Sequence, residues 1–481
     1  MITGKILKNA GWPEGKIIGL AKSAAARLEM EGLERADVLQ KLDAVRIAPA
    51  DFLGDPQFGD LAREVLRREA REVSQVQDAI RDTLRDAPLR FETWGADGID
   101  AGAVEQMNNA MRLPVAVGGA LMPDAHVGYG LPIGGVLATH ESVIPYAVGV
   151  DIACRMRLSI YPVSPHVLGQ RKTQFERALL EQTVFGAGGK LSGESRADHE
   201  VLEDPGWKAT RLLKTLQFKA QQQLGTSGSG NHFVEWGEFS LAEDAPQFGL
   251  ERGSYLALLS HSGSRGVGFK IANEYSRIAR DLHPNLEPSV KHLAWLPMSS
   301  EAGAEYWLSM ELAGRFASAN HFIIHQRVAK AAGLQEIAHV ENHHNFAWRE
   351  TVVNADFEGE AIVHRKGATP AGEGVLGVIP GSMADAGYVV CGKGLTSSLN
   401  SASHGAGRKM SRRAANDAIT KPMRDKYLQE RGVTRLGGGL DEAPQAYKDI
   451  ESVIAAQSDL VEIVGKFTPR IVRMADEAGE I

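Results

Sequence analysis

The stretch YLALLSHSGSRGVG, residues 255–268, shows the pattern on which the fold prediction rests. A short apolar run leads directly into a glycine-rich loop that also carries His261 and Arg265. Apolar runs of this length that end in turn residues are typical of buried β-strands. Glycine at a strand end permits positive φ and lets backbone N–H groups converge on an anion. The pattern predicts a strand that ends in a site loop, and a tight turn without a ligand is the alternative.

The same pattern recurs along most of the chain, at residues 115–130, 143–156, 361–374 and 388–394. In residues 143–150 it predicts an apolar strand that runs into Asp151 and Cys154. Helical periodicity lies between the strand patterns, most clearly over residues 304–332. This mixture of strands and helices predicts an α+β fold with one large catalytic domain over residues 93–481.

Residues 1–92 differ in composition and in apolar pattern from the rest of the chain, and we expect an N-terminal helical region there. Charged residues are frequent, and apolar residues fall at helical spacing. The apolar positions are Leu61, Val65, Val73, Val76, Ile80 and Leu84. The pattern predicts amphipathic helices with solvated outer faces.

Composition excludes several classes of protein. The chain has 52 glycines and 20 prolines in 481 residues, so glycine exceeds its usual share of about 7%. A collagen-like sequence would also be rich in proline, and this chain is not, so that class is excluded. Two cysteines cannot build a disulfide framework, and no apolar run approaches the ~18 residues of a membrane span. The first residues carry no apolar export signal, so we expect a cytoplasmic protein. The net charge of −7 does not itself indicate nucleic acid, although a local basic strip is compatible with it.

Several loops carry residues that bind metals. Asp151 and Cys154 share one loop, and a thiolate beside a carboxylate suits a borderline transition metal, whereas a buried structural cysteine is the alternative. His232 and Glu235 lie either on one helical turn or on opposite sides of a strand. At His344 two histidines are adjacent, so at most one of them is expected to bind a given metal.

His404 is a candidate nucleophile. Small residues flank it in SHGAGR, residues 403–408, so its imidazole is accessible to a large electrophile, and imidazole forms covalent intermediates. A helix N-terminus capped by Ser403 is the alternative and is compatible with phosphate binding. Residues 404–431 hold eight basic residues against three acidic ones, which indicates either a solvated face or a contact for a nucleic-acid backbone.

In their order along the chain, these loops resemble the RtcB family of RNA-splicing ligases. The matching stretches are MPDAHVGYGLPIGGV, VIPYAVGVDIACRM, GTSGSGNHFVE, HSGSRGVG, HHNFAW, HRKGATPAGEG, IPGSM, LNSASHGAGRKMSR and EAPQAYKDI, over about residues 97–465. So many motifs in order are far more specific than any single loop. The resemblance implies an enzyme of RNA splicing or repair, including tRNA splicing. Such an enzyme joins an RNA end with a 3′-phosphate or 2′,3′-cyclic phosphate to a 5′-hydroxyl end, using GTP and manganese through a histidine–GMP intermediate.

The resemblance also implies roles for individual residues. Cys154 is expected to bridge two Mn²⁺ ions, with Asp151 and His232 completing one metal site and His261 and His344 the other. His404 is expected to be the guanylylated nucleophile. The residues that match GTP-binding stretches are Asn231, His232, Phe233, Val234, Glu235, His344, Asn345, Pro380, Gly381, Ser382, Met383, Gly387, His404, Gly405, Ala406, Gly407 and Tyr447. From local sequence and charge, the candidates for contacts to RNA phosphates are Arg265, Arg408 and Arg412.

Two departures from the family pattern concern recognition of the base. Met474 stands about where the family has a lysine that contacts guanine, with Arg473 beside it as a candidate substitute. Gly387 stands where a guanine-contacting serine is common. These departures weaken the expectation of strict GTP selectivity more than the expectation of nucleotidyl transfer.

Two other functions are open on the sequence. A metal-dependent phosphohydrolase on the same metal cluster would keep its activity without His404 but not without Cys154. A non-catalytic RNA-binding relative would bind RNA in the absence of metal. The non-catalytic RNA-binding function is disfavoured because the five metal-ligand candidates and His404 are all present. The sequence identifies neither the RNA substrate nor an activating protein.

Overall fold

The computed structural model describes residues 2–476, except for the side chains of residues 70–80. The chain forms two compact units, Met1–Thr83 and Leu84–Ile481. The predicted start of a catalytic domain at residue 93 stays a prediction. No helix in the described part of the chain is long and apolar enough to cross a membrane.

The first unit is a set of helices around a small core of its own. Its helices are α1 (Gly4–Asn9), α2 (Lys16–Met30), α3 (Arg35–Ile47) and α4 (Gly59–Arg81). Leu28 of α2 and Leu42 of α3 are buried in this core together with Leu61 and Val65 of α4. Leu61 and Val65 thus lie on a helix as predicted, whereas Leu84 lies beyond the end of α4 and is buried in a core of the second unit. The side chains of Val73, Val76 and Ile80 lie outside the described residues.

The second unit combines helices with extended sheets, which confirms the α+β prediction. Its helices are α5 (Ala101–Met111), α6 (Pro145–Val148), α7 (Val167–Gln170), α8 (Lys172–Gln182), α9 (Arg211–Gln223), α10 (Arg265–Leu282), α11 (Glu301–Ala332), α12 (Arg412–Ala418), α13 (Lys421–Glu430) and α14 (Ile450–Ala455). Its first strands are β1 (Glu92–Thr93), β2 (Ala116–His126), β3 (Ile133–Thr139), β4 (Ser142–Val143), β5 (Arg155–Tyr161), β6 (Phe233–Leu241), β7 (Gly253–Ser262), β8 (Leu296–Pro297) and β9 (Ala338–His343). The remaining strands are β10 (Asn345–Val353), β11 (Glu358–Lys366), β12 (Ala368–Pro370), β13 (Leu376–Ile379), β14 (Gly387–Gly392), β15 (Ser401–Ser403), β16 (Thr434–Leu436) and β17 (Val461–Met474).

Two main sheets organise the second unit. The larger is an eight-stranded sheet in the order β13-β14-β17-β6-β7-β5-β9, with β16 beside β17. The other is a five-stranded sheet in the order β1-β2-β3-β11-β10. Two short pairs, β12 with β15 and β4 with β8, lie outside these sheets.

Four neighbouring strands of the larger sheet determine where its loops meet. Strands β6, β7, β5 and β9 are antiparallel in succession, so the starts of β6 and β5 lie at the same sheet edge as the ends of β7 and β9. The register places Phe233 opposite His261, and Arg155 opposite both Ser262 and His343. The residues just beyond these positions therefore converge at one edge.

The prediction of a strand over residues 143–150 is wrong. Strand β4 ends at Val143, and helix α6 begins at Pro145. Proline lacks an N–H group and has a fixed φ near −65°, so it suits the first turn of a helix. Gly149 then takes a positive φ of 99° and redirects the chain toward Asp151.

Gly237 in β6 tests the close packing of the larger sheet. A Cβ atom at this position would lie 2.4 Å from the Phe467 ring and 2.4 Å from the Thr468 carbonyl oxygen. We expect Gly237→Ala to lower the free energy of unfolding by about 1–3 kcal/mol, measured by chemical denaturation. Gly188→Ala is the matched control, because nothing lies within 4 Å of its Cβ position. Equal stability of the two variants would contradict this packing.

Candidate active site

Two groups of potential metal ligands meet at the shared sheet edge. One consists of Asp151, Cys154 and His232, and the other of Cys154, His261 and His344. Within each group the ligand atoms lie within 4.8 Å of one another. The structure thus brings together the five residues that the resemblance assigned to metals, and Cys154 belongs to both groups.

The Cys154 sulfur lies between the two groups. Its Sγ atom is 3.5 Å from Nε2 of His232 and 3.1 Å from Nε2 of His261. On one side Asp151 Oδ2 is 3.0 Å from Nε2 of His232. On the other side the Nε2 atoms of His261 and His344 are 3.3 Å apart. These distances suit two neighbouring cations that share one sulfur ligand.

His261 is held in the form that binds metal. Its Nδ1–H group donates to the Asn231 carbonyl oxygen at 3.1 Å, which leaves the Nε2 lone pair facing Cys154 and His344. Burial lowers the pKa of His261 to about 3 and also lowers the pKa of His344 far below its usual value. Both imidazoles are therefore neutral, as metal coordination requires.

The donor set fits borderline divalent metals. Burial, together with the charge of Asp151, raises the pKa of the Cys154 thiol. Burial also acts to raise the pKa of Asp151, but the hydrogen bond with His232 and the charge of Arg265 lower it to about 2. A cysteine sulfur combined with imidazole and carboxylate ligands is typical of transition-metal sites.

His404 lies beside this cluster and is oriented by a carboxylate. Its ring centroid is 4.9 Å from that of His344. Its Nδ1–H group donates to Asp124 Oδ2 at 2.6 Å, and the same oxygen accepts from the backbone N–H groups of His404 and Gly405 at 3.2 and 3.4 Å. Asp124 is fully buried, so these bonds fix the ring and leave Nε2 as its free nitrogen.

Sequence reasoning did not single out Asp124, although it lies in the matching stretch MPDAHVGYG. The signal was a carboxylate at a strand end next to glycines. The alternative in which Ser403 caps a helix is wrong, since Ser403 ends β15 and its hydroxyl accepts a hydrogen bond from Gln457. The next helix begins at Arg412 with Ser411 as its N-cap.

A cleft of about 550 Å³ contains the cluster and His404. Most residues predicted to bind metal or GTP, and two of the candidate arginines, line it. These are Asp151, Cys154, Asn231, His232, Phe233, His261, His344, Asn345, Pro380, Gly381, His404, Gly405, Ala406, Gly407, Arg408, Arg412 and Tyr447. The predicted residues absent from the lining are Val234, Glu235, Arg265, Ser382, Met383 and Gly387.

The residues outside the lining have other surroundings. The Val234 side chain lies in a hydrophobic core. Ser382 donates its hydroxyl to Asp385 at 2.6 Å. Gly387 begins β14, where a Cβ atom would be 3.3 Å from Pro380 Cα.

Glu235 is a buried carboxyl group on a strand. Of its two sequence alternatives, the structure has the strand, since Glu235 belongs to β6. Its Oε2 atom has no hydrogen-bond partner among the described residues. Burial raises the pKa of Glu235 well above its usual value, so the group is protonated over a wide range of pH.

The three candidate arginines already have protein partners. Arg265 places Nη1 3.0 Å from Nδ1 of His232. Arg408 donates to the Asp441 carbonyl at 2.6 Å and to Glu442 at 3.3 Å. Arg412 pairs with Glu442 at 3.1 Å, and about half of its side chain is exposed. Of the three, Arg412 has the most freedom to turn toward a phosphate.

Met474 and its candidate substitute Arg473, at the end of β17, face different directions. Met474 is buried in an apolar cluster with Met383, and Phe233 packs against that cluster. Arg473 pairs instead with Asp476 at 2.6 Å and lies over the Phe185 ring. Successive side chains of a strand face opposite sides, so Arg473 does not take the place of Met474.

The cleft also has lining residues that the sequence did not single out, including His126, Tyr129, Tyr146 and Lys366. Burial lowers the pKa of Lys366 to about 7 and the pKa of His126 to about 4. No signal in the sequence distinguished these residues from ordinary core or turn positions.

Comparisons with known proteins agree on one family. The family model described as tRNA-splicing ligase RtcB matches residues 106–475. The RNA-splicing ligase RtcB of Escherichia coli (strain K12) is 31% identical over 414 residues, which cover 79% of this chain and 96% of the relative. The tRNA-splicing ligase RtcB of Nanoarchaeum equitans is 31% identical, over 76% of this chain and 90% of the relative. An RNA-splicing ligase RtcB from Mycobacterium bovis is also 31% identical, over 76% of this chain and 98% of the relative.

Binding of Co²⁺ tests the shared sulfur ligand. A cobalt–thiolate bond gives a charge-transfer absorption band, because thiolate is a soft donor. We expect this band in the unmodified protein and its loss in Cys154→Ser. Cys391→Ser is the matched control, since Cys391 belongs to neither ligand group. A band that survives Cys154→Ser would contradict the assignment.

Proposed function

Since this chain belongs to the RtcB family of RNA-splicing ligases, we propose that it joins RNA ends through a covalent His404–GMP intermediate. One strand ends in a 3′-phosphate or 2′,3′-cyclic phosphate, and the other begins with a 5′-hydroxyl. GTP is the guanylyl donor, and two Mn²⁺ ions are the metal cofactors. The orientation of His404 by Asp124 beside two potential metal sites is the observation that carries this proposal.

In the first step His404 is the nucleophile. Because Asp124 accepts the Nδ1 proton, Nε2 has a lone pair available for attack on the α-phosphorus of GTP. A phosphorus–nitrogen bond forms, the bond between the α-phosphorus and its bridging oxygen breaks, and pyrophosphate leaves. Asp124 also holds the backbone at Gly405, which keeps the histidine loop in place during attack.

The later steps transfer the activated group to RNA. Water first opens a 2′,3′-cyclic end to a 3′-phosphate with release of the 2′-hydroxyl. An oxygen of the RNA 3′-phosphate then displaces His404 from GMP, and the 5′-hydroxyl attacks the RNA phosphate, losing its proton, with GMP as the leaving group. Divalent ions bound at the two ligand groups would neutralise phosphate charge and help to orient the phosphates. The chain's own residues would hold them through Cys154, with Asp151 and His232 on one side and His261 and His344 on the other.

The cleft offers contacts for the nucleotide and for RNA phosphates. The residues from Gly405 to Gly407 and from Pro380 to Gly381 line it. Since the N–H groups of Gly405 and Ala406 donate to Asp124 and to the Pro380 carbonyl oxygen, those of Gly381 and Gly407 are the candidates for phosphate oxygens. Tyr447 is the proposed neighbour of the guanine ring. Arg408 and Arg412 lie within the same cleft as candidate phosphate ligands, and Arg265 lies behind His232. Because Met474 stands about where the family has a guanine-contacting lysine, and its side chain is buried in an apolar cluster, we propose that selection for guanine is relaxed.

An RNA-joining assay tests the proposed reaction. We expect the protein with GTP and Mn²⁺ to join a 3′-phosphate strand to a 5′-hydroxyl strand and to acquire a covalent guanylate. His404→Ala removes the nucleophile, so both products should be lost. His140→Ala is the control, because His140 is an exposed histidine outside the cleft lining. Joining that persists in His404→Ala would contradict the mechanism.

Asp124→Asn tests the orientation of the nucleophile. The asparagine amide can donate to Nδ1 and so place the proton on Nε2, which removes the attacking lone pair. We expect guanylylation to slow by at least about 100-fold. The same Asp-to-Asn change beside the catalytic histidine of a serine protease lowers kcat by roughly 10⁴-fold. Asp281→Asn is the control at an exposed aspartate of α10. An unchanged guanylylation rate in Asp124→Asn would exclude this role.

A further inference from the structure

One part of the cleft wall has no role in the reaction proposed above. It is the loop of residues 127–131 between β2 and β3, which we call the tyrosine loop. Tyr129 is 74% exposed and Val127 is 53% exposed, yet both line the cleft. Exposed apolar side chains at a cleft are typical of binding surfaces.

The backbone of the tyrosine loop is firmly anchored. The Gln106 side chain donates to the Gly128 carbonyl oxygen at 2.6 Å, and the Gly128 N–H group donates back to the Gln106 amide oxygen at 3.0 Å. Lys366 donates its Nζ–H to the Tyr129 carbonyl oxygen. Gly130 has a positive φ of 74° and packs closely against His292. The exposed Tyr129 ring is therefore presented by a backbone that is fixed on both sides.

The wall adjoins the reacting centre. Lys366 is followed by Gly367, where a Cβ atom would lie 3.2 Å from Cε1 of His404. At the end of β2, His126 donates its Nδ1–H to the Asp124 carbonyl oxygen at 3.1 Å. An RNA strand that lies along this wall would thus reach the part of the cleft that contains His404.

The tyrosine loop and the side chains around it combine aromatic rings with positive charge. The His292 ring centroid lies 6.3 Å from that of Tyr129 and 5.0 Å from that of Tyr146, and Lys366 Nζ lies 5.9 Å from the centre of the Tyr146 ring. Burial lowers the pKa of His292, and the charges of Arg280, Lys366 and Lys291 lower it further. Arg280 and Lys291 thus place positive charge near the aromatic side chains, and Lys366 adds to it when protonated, which suits an anionic ligand with flat rings.

We propose that Tyr129, supported by Tyr146 and Lys366, is a stacking platform for the nucleotides next to the reacting RNA end. The platform rests on the proposed function, in which RNA enters this cleft. Unpaired bases stack on aromatic side chains while cations hold the backbone. A protein interface needs a much larger surface than two exposed apolar side chains.

RNA binding by two substitutions at Tyr129 tests the platform. The probe is a fluorescein-labelled single-stranded RNA, made once with a 3′-phosphate end and once with a 5′-hydroxyl end, and binding is followed by anisotropy. We expect Tyr129→Ala to weaken binding of at least one of these strands by about tenfold. Tyr129→Phe keeps the ring and should bind as the unmodified protein does. Phe218→Ala is the control, because Phe218 is 58% exposed but lies outside the cleft lining.

A parallel guanylylation assay separates this inference from the proposed function. Tyr129→Ala should form the His404–GMP adduct at the unmodified rate, since Tyr129 acts on RNA. Equal affinity of Tyr129→Ala and the unmodified protein for both strands would overturn the platform, and so would slowed adduct formation in Tyr129→Ala. If the unmodified protein forms no adduct while Tyr129→Ala still loses RNA affinity, the proposed mechanism fails and the platform stands.

Discussion

The alternating direction of β6, β7, β5 and β9 is the constraint on which the candidate site depends. Because these neighbours are antiparallel, residues that are far apart in the chain meet at one sheet edge. Cys154, His232, His261 and His344 each lie within two residues of a strand end there. A slip of one residue in this register would turn His261, which lies within β7, to the other face of the sheet and would shift the residues next to the other strand ends.

The proposed nucleophile, His404, lies outside this sheet, and a short hydrogen-bond path joins it to the candidate metal ligands. Strand β15, which precedes His404, pairs with β12, and the Ala368 N–H group of β12 donates to the His344 carbonyl oxygen at 3.2 Å. Asp124 reaches His404 from the five-stranded sheet. The candidate metal ligands, the proposed nucleophile and the carboxylate that orients it therefore depend on different strand pairings.

The sequence predicts part of this arrangement. Glycine-rich loops after apolar runs indicated strands before His261 and Lys366, but both residues belong to the strands β7 and β11 and not to the loops that follow. The order of strands in the sheet follows from long-range pairing that no local pattern contains. The strand predicted before Asp151 is a helix because Pro145 favours a helical first turn. Asp124 and Tyr129 were missed for a different reason. A buried carboxylate and an exposed ring are recognised by their neighbours in space, and those neighbours are His404 and Lys366.

Electron paramagnetic resonance of the protein loaded with two equivalents of Mn²⁺ tests the central claim most directly. A sulfur shared by two ions would couple their electron spins, so we predict the spectrum of an exchange-coupled pair in the unmodified protein and its loss in Cys154→Ser. A spectrum of isolated, uncoupled Mn²⁺ ions in the unmodified protein would contradict the account.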